Sequence, residues 1–313
     1  MNTAPVSVAC VQAASVIFDT RRTLEKARDL VADAAKTGAK LVLLPEAFVG
    51  GYPRGAGFGT VVGARSLEGR ELYARYHDGA IDVPGPACEA LGLIAKENGV
   101  HLVVGVIERE GLTLYCTVLF YAPEGALIAK RRKLMPTGGE RLIWGFGDGS
   151  TLPVVPTPLG RLAGVICWEN YMPLLRAAMY ARHPQIWCAP TADGRPTWLS
   201  TMQHIAMEGR CFVLSTNQFC RRSDYPADYP AELPTDPSAI VSRGGACIID
   251  PLGTVLAGPL WDQEGQITAE LDLRMTVRGG YDFDAVGHYA RPDVFQLHVD
   301  TRAKPAVKFD HEP

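Results

Sequence analysis

The sequence predicts an α/β layered fold with mixed sheets. Three observations carry this: apolar runs of strand length alternate with segments of helical period, glycines and prolines fall between them, and the composition is that of an ordinary globular chain. The run over 6–13 reads as a strand. It is followed by a segment in which Leu24, Ala27, Leu30, Val31 and Ala34 recur at helical spacing until Gly38 stops it. Lys40-Leu41-Val42-Leu43-Leu44 is a continuous apolar strand that leads into Pro45-Glu46. A second helix, from near Pro86 to Gly99, feeds a strand over 100–107, and the runs over 112–122 and 126–129 flank the turn-like Pro123-Glu124-Gly125 as a hairpin. Strand, helix and strand repeat through 162–166, 173–181 and 185–189, and a further helix is predicted over 197–210. Helical character is also read over 169–179. Pro226, Pro230, Pro234 and Pro237 make 222–238 a loop, and a loop of that length is uncommon without a role. The expected organisation is one domain over 1–280 and a C-terminal extension over 281–313.

Composition excludes several function classes. With 47% hydrophobic and 21% charged residues and a formal net charge of -3, the chain has no basic surface suited to nucleic acid; its basic residues are scattered apart from Lys130-Arg131-Arg132-Lys133. The N-terminus lacks a basic segment followed by an apolar core, and no stretch approaches the ~18 apolar residues of a membrane span, so the expected location is cytoplasmic and off the membrane. Eight cysteines without a Cys-x-x-Cys pair read as reduced thiols. His204 has no partner at metal-ligand spacing, and Gly145-Phe146-Gly147-Asp148-Gly149 lacks the spacing of a nucleotide loop. Neither a metal nor a cofactor is expected.

Three residues stand where chemistry is placed in α/β folds, just past the carboxyl ends of strands: Glu46, Lys133 and Cys167. Taken singly each is ordinary. Cysteine usually packs in a core, a glutamate after proline caps or faces solvent, and a lysine in a basic run is usually solvated. Cys167 lies at a strand-to-helix corner, where helix-start amides are expected to favour thiolate over thiol and to hold an oxyanion. Together, a thiol, an ammonium and a carboxylate suffice to attack an electrophilic carbon, stabilise the resulting anion and move protons without a metal.

Leu43-Leu44-Pro45-Glu46-Ala47, Arg132-Lys133-Leu134-Met135-Pro136-Thr137 and Val165-Ile166-Cys167-Trp168-Glu169-Asn170 resemble, in order and spacing, the three catalytic blocks of the nitrilase, or carbon–nitrogen hydrolase, superfamily. The likeness continues through Glu140-Arg141-Leu142-Ile143-Trp144-Gly145-Phe146-Gly147-Asp148-Gly149, through 188–193 and 244–253, and through 282–289. The Glu140 block and Cys167-Trp168-Glu169-Asn170 resemble true nitrilases, especially the plant-type branch and its bacterial relatives. Many nitrilases carry histidine two residues before the lysine, where this chain has Arg131.

The resemblance implies a four-layer α-β-β-α sandwich, with Glu46, Lys133 and Cys167 as a catalytic triad and Glu140 as a second glutamate that orients the lysine or assists proton transfer, against the alternative of a surface pair with Arg141. The Trp168 amide, next to the nucleophile, is expected as an oxyanion donor and its ring either as a pocket wall or as a structural side chain; Tyr52 and Thr191 are pocket-lining by position. The implied reaction converts an arylalkyl or aliphatic nitrile to its acid and ammonia through a cysteine thioimidate and thioester. An amidase or carbamoyl hydrolase of the same superfamily, a cyanide-hydrating enzyme and a non-catalytic binding protein of the same fold stay open. Family members commonly form dimers or spirals, which here implies homo-oligomerisation through the helix over 173–181, the segments 54–80 and 222–238, and the C-terminal tail.

Overall fold

Strand residues alternate between two apolar environments, and this alternation builds the layers. In the first half of the chain Val8, Cys10, Leu41, Leu43, Val103 and Phe120 share one core with the second half. Their neighbours Ala9, Val11, Val42, Leu44, Leu102 and Val104 pack instead against Ala27, Val31, Leu91 and Ile94 of the helices Thr20–Lys36 and Pro86–Asn98. The second half repeats the scheme. Leu162, Cys188, Leu214 and Ile248 enter the shared core, while Ala163, Trp187, Val213 and Ile249 meet the helices Pro173–Tyr180 and Thr197–Gly209. The result is the α-β-β-α sandwich that the resemblance implies. The computed structural model describes residues 4–230 and 232–307.

Among the described residues, each of the two sheets of the sandwich has seven strands. The first runs Gly265–Leu271, Val6–Gln12, Leu41–Leu43, His101–Glu110, Thr113–Tyr121, Leu127–Arg132, with Ile81–Asp82 also paired to His101–Glu110. The second runs Phe219–Arg221, Ile240–Ile249, Phe212–Thr216, Ile186–Pro190, Gly160–Gly164, Val154–Thr157, with Val255–Trp261 on Ile240–Ile249. Both are parallel at their centres and antiparallel at their margins. A late strand, Gly265–Leu271, joins the first sheet beside Val6–Gln12 and so ties the chain's end to its beginning.

Three features depart from the sequence reading. The segment 54–80 contains a small hairpin, Thr60–Val61 with Ala64–Arg65, and the helix Leu67–Asp78. The helical stretch read over 169–179 is two elements: a 3-10 turn over Cys167–Tyr171 and an α-helix that opens only at Pro173. Proline explains the break, because it holds the preceding Met172 in an extended conformation (ψ 105°) and is itself well placed as the first helical residue. The hairpin's second strand continues to Arg132, beyond its expected end near Ala129, so Lys133 directly follows it. The tail folds back on its own chain, with the Lys304 amide donating to Asp148 Oδ2 at 2.7 Å. The expected extension over 281–313 includes 308–313, which lie outside the described residues. No helix among the described residues is long and apolar enough to cross a membrane.

Gly105 shows how closely the sheet supports the turn at Glu46. A Cβ there would stand 2.7 Å from Glu46 Cα and from the Ala47 amide nitrogen, and closer still to the Pro45 carbonyl. Backbone cannot yield as a flexible side chain can. We therefore expect Gly105→Ala to lower stability by about 1–3 kcal/mol, read as a lower urea midpoint; an unchanged midpoint would show that the turn is free to move.

Candidate active site

The site is assembled across the two sheets. Glu46 sits in the turn after Leu41–Leu43, next to Ala47, whose φ of +50° is unusual for a residue with a Cβ. The Gln218 side-chain amide, reaching over from the second sheet, donates to the Glu46 and Ala47 carbonyls at 3.1 and 3.4 Å and steadies this turn. From the other edge of the first sheet comes Lys133. The basic run before it is not the solvated cluster the sequence suggests, because strand alternation divides it: Arg131 and Lys133 are fully buried, while Lys130 and Arg132 bond Glu108 at 2.5 and 2.7 Å.

Lys133 Nζ donates to Glu46 Oε1 and Glu140 Oε2, each at 2.7 Å. Glu140 is fixed in turn by the Tyr52 hydroxyl on Oε1 and the Thr137 amide on Oε2, both at 2.7 Å, while Arg141 bonds the Pro136 carbonyl instead. The indole of Trp144 lies 5.5 Å from the ammonium. Cys167 comes from the second sheet at φ +50°, a left-handed conformation that turns the chain sharply after Gly160–Gly164. Asn170 holds that corner, its Nδ2 donating to the Val165 and Cys167 carbonyls at 2.9 and 2.7 Å. Thr191, at the end of the neighbouring strand, donates its hydroxyl to Cys167 Sγ at 3.2 Å.

A buried ammonium between two carboxylates faces a thiol from the other sheet, so Glu46, Lys133 and Cys167 of the three blocks and Glu140 of the further block come together. Residues 7–279 match the carbon-nitrogen hydrolase family. The chain belongs to that family. It is 54% identical over 312 residues to a bifunctional nitrilase/nitrile hydratase of Nicotiana tabacum, a match covering 98% of this chain and 90% of that protein. It is 55% identical over 299 residues to an aliphatic nitrilase of Sinorhizobium fredii, covering 96% and 97%. Within the carbon-nitrogen hydrolases it stands with the nitrilases of plants and bacteria. Its fold is also that of a carbon-nitrogen hydrolase from Helicobacter pylori, with a TM-score of 0.74 and 18% identity over 94% of this chain and 98% of that one.

The electrostatics of this carbon-nitrogen hydrolase follow from burial of one cation with several acids. Burial pushes the Glu46 carboxyl above its usual range; Lys133 pulls it down and Glu140 pushes it up again. Burial alone would lower the Lys133 ammonium, but Glu46 and Cys167, with Cys116 and Glu140, outweigh it and hold the proton on nitrogen. Burial and Glu46 push the Cys167 thiol up to about 12, against Lys133, the Thr191 hydroxyl and the Ala192 amide. The amides expected to favour thiolate over thiol do not prevail. The helix-start amides that were to stabilise it belong to a single 3-10 turn, and desolvation of a fully buried sulfur outweighs them. At rest the site therefore holds a thiol beside a carboxylate made more basic by burial. Glu46 Oε2 has no hydrogen-bond partner among the described residues, while the Cys167 thiol is among the groups that hold the Glu46 carboxyl down.

Trp168 is half-exposed, with its indole Nε1 donating to Asp193 Oδ2 at 2.9 Å and the Arg195 guanidinium 4.8 Å over its ring. Burial raises Asp193, yet the bonds from Arg195 and Trp168 hold it below its usual range. The Asp193 amide donates to Thr191 Oγ1 at 3.0 Å, so one loop links the tryptophan to the thiol's hydroxyl partner. Sequence reasoning singled out Glu46, Tyr52, Lys133, Glu140, Cys167, Trp168 and Thr191, and the structure gathers them in this region. It missed Gln218, Asn170 and Asp193, which hold these residues. Asn170 and Asp193 lay within blocks the resemblance covers; nothing near Gln218 marked it. His204, expected to be packed or hydrogen-bonded rather than a metal ligand, is exposed, with its Nε2 3.5 Å from Glu208 Oε1. No cluster of metal-ligating side chains occurs among the described residues.

The Thr191 hydroxyl lowers the thiol's proton affinity, so Thr191→Val should raise it. Alkylation of Cys167 by iodoacetamide at pH 8 is expected to slow roughly threefold to tenfold, the worth of one hydrogen bond; an unchanged rate would remove Thr191 from this role.

Proposed function

We propose that this carbon-nitrogen hydrolase converts an organic nitrile to its carboxylic acid and ammonia, with Cys167 as nucleophile, Glu46 as proton acceptor, Lys133 as fixed positive charge and Glu140 as the carboxylate that orients it. The observation that carries this reading is the Lys133 ammonium bonded to both Glu46 and Glu140 beside the Cys167 thiol. It is supported by more than half identity, over nearly the whole chain, to proteins described as nitrilases.

Sulfur adds to the nitrile carbon as its proton passes to Glu46, and that proton ends on the nitrogen to give a thioimidate. Lys133 donates a hydrogen bond to the charge that develops on nitrogen, and the Trp168 amide is the second donor. Because Lys133 keeps its proton, its contribution is position and charge rather than acidity. Glu46 then activates water, whose addition gives a tetrahedral species that expels ammonia and leaves a thioester. A second water releases the acid and regenerates the thiol. The tobacco relative is described as both nitrilase and nitrile hydratase, and the same tetrahedral species would give an amide by expelling the thiolate instead. The substrate class we favour is arylalkyl or aliphatic nitriles, in keeping with a relative described as an aliphatic nitrilase; Tyr52, Thr191 and Trp168 line its pocket.

We assign the hydrolase domain to 1–280 and read 281–313 as an extension that meets a second copy of the chain. An apolar groove runs between the helix Pro173–Tyr180 and the tail, with Leu174 68% and Phe295 78% exposed. The residue set of that groove, and the oligomers common in the family, support a homodimer or larger assembly. Eight free, buried cysteines support a reducing cytoplasmic location.

Two outcomes test this reading. Cys167→Ala should reduce release of both acid and ammonia from a nitrile panel by at least about a thousandfold, whereas hydrolysis of amides but of no nitrile by the native protein would reject it. Because Glu46 must be ionised and its carboxyl is raised, kcat/KM should fall on the acid side at a pH above the ordinary carboxylate range; an acid limb at or below that range would exclude Glu46 as the base. For assembly, light scattering should give a multimer that Leu174→Glu dissociates, and a native monomer would refute the groove as an interface.

A further inference from the structure

We infer that Glu169, with Arg131 as its counter-ion, is a positioning residue that yokes the Lys133 segment of one sheet to the Cys167 turn of the other. The inference deepens the nitrile-hydrolase reading and rests on it for the roles of Lys133 and Cys167. One carboxylate receives three donors from the two halves of the site. Oε1 accepts from Arg131 Nη2 at 2.8 Å and from the Leu134 amide at 2.7 Å, and Oε2 accepts from the Ile166 amide at 3.1 Å. Leu134 follows the lysine and Ile166 precedes the cysteine. A change at Glu169 is thereby transmitted to both backbones that carry the reacting groups.

Both side chains of the pair are fully buried. Arg131 Nε and Nη1 have no hydrogen-bond partner among the described residues. A buried ion pair so incompletely satisfied is a poor stabiliser, because removing two charges from water costs about what their attraction returns. What the pair does supply is geometry. The two sheets meet mainly through apolar side chains, which set distance but not register, whereas a carboxylate with three directed donors fixes both. Sub-ångström placement of a nucleophile against a charge is what proton transfer requires. Arg131 also acquires a reason for its place in the strand: at alternate positions it and Lys133 point inward, the first to hold the yoke and the second to enter the site.

Glutamine cannot replace this carboxylate. Whichever way its amide turns, its NH2 faces either the Ile166 amide or the donors of Arg131 and Leu134, and a donor meets a donor. The test compares native protein, Glu169→Gln and Arg131→Lys, each shown to be folded by circular dichroism, in steady-state nitrile hydrolysis and in the pH dependence of Cys167 alkylation by iodoacetamide, read by mass spectrometry. Glu169→Gln is expected to lower kcat about tenfold to a hundredfold with KM nearly unchanged. Its alkylation profile should move to higher pH, because the thiol loses part of the attraction of Lys133. Arg131→Lys, which keeps the charge and one donor, should show the same changes in smaller measure. If Glu169→Gln does not fold, Arg131→Lys carries the comparison alone. A native alkylation rate and pH profile in the folded variants, with any loss of kcat following thermal stability alone, would overturn the yoke. If the native protein hydrolyses no nitrile, the proposed function fails, while the alkylation profiles still decide the yoke.

Discussion

One buried ammonium organises this molecule. Lys133 brings its charge into a closed interior, and the surrounding structure is arranged to make that tolerable: Glu46 on one side, Glu140 on the other, with Tyr52 and the Thr137 amide directing Glu140. Removing one member of such a pair typically costs about 3–5 kcal/mol, because the partner's charge is then left buried and unpaired. The same groups that offset the cation's burial are those whose proton affinities it sets. Glu46 becomes a stronger base than a free carboxylate, Lys133 keeps its proton, and the Cys167 thiol is held protonated.

The second constraint is that these groups belong to different sheets. Glu46 and Lys133 extend from the first sheet, Cys167 and Thr191 from the second, and the hydrophobic interior between them does not by itself choose a register. Directed polar ties make that choice. Gln12 donates to the Leu260 and Gln263 carbonyls and accepts from the Gly245 and Ala246 amides, Thr216 donates to the Val11 carbonyl, and Gln218 holds the Glu46 turn. All are buried and sit where the sheets face each other. The left-handed backbone at Ala47 and Cys167 is maintained by this over-determined setting, with Gln218 at one turn and Asn170 at the other.

Much of this was legible in the sequence. Continuous apolar runs of strand length, such as 40–44 and 162–166, marked the strands, and position after a strand, joined to a family resemblance, singled out Glu46, Lys133 and Cys167. Other features were not legible, for definite reasons. Local pattern reads the run Lys130-Arg131-Arg132-Lys133 as solvated, because only tertiary structure reveals that Glu108 awaits two of the four on one face and Glu46, Glu140 and Glu169 the other two. A strand-to-helix corner suggests amides that favour the Cys167 thiolate, whereas burial, invisible to spacing, dominates. Gln218 is distant in sequence from the turn it steadies, so no local signal marks it.

Direct observation of the covalent intermediate tests the central claim, that the Cys167 sulfur, beside Lys133 and Glu46, forms the bond to substrate carbon. The measurement is rapid-quench mass spectrometry of the protein during turnover of a slowly hydrolysed nitrile, with the modified peptide mapped. A transient acyl mass is expected on the peptide containing Cys167, formed and lost at rates compatible with turnover. Sustained hydrolysis with no adduct there, or with an adduct on another of the cysteines, would contradict it.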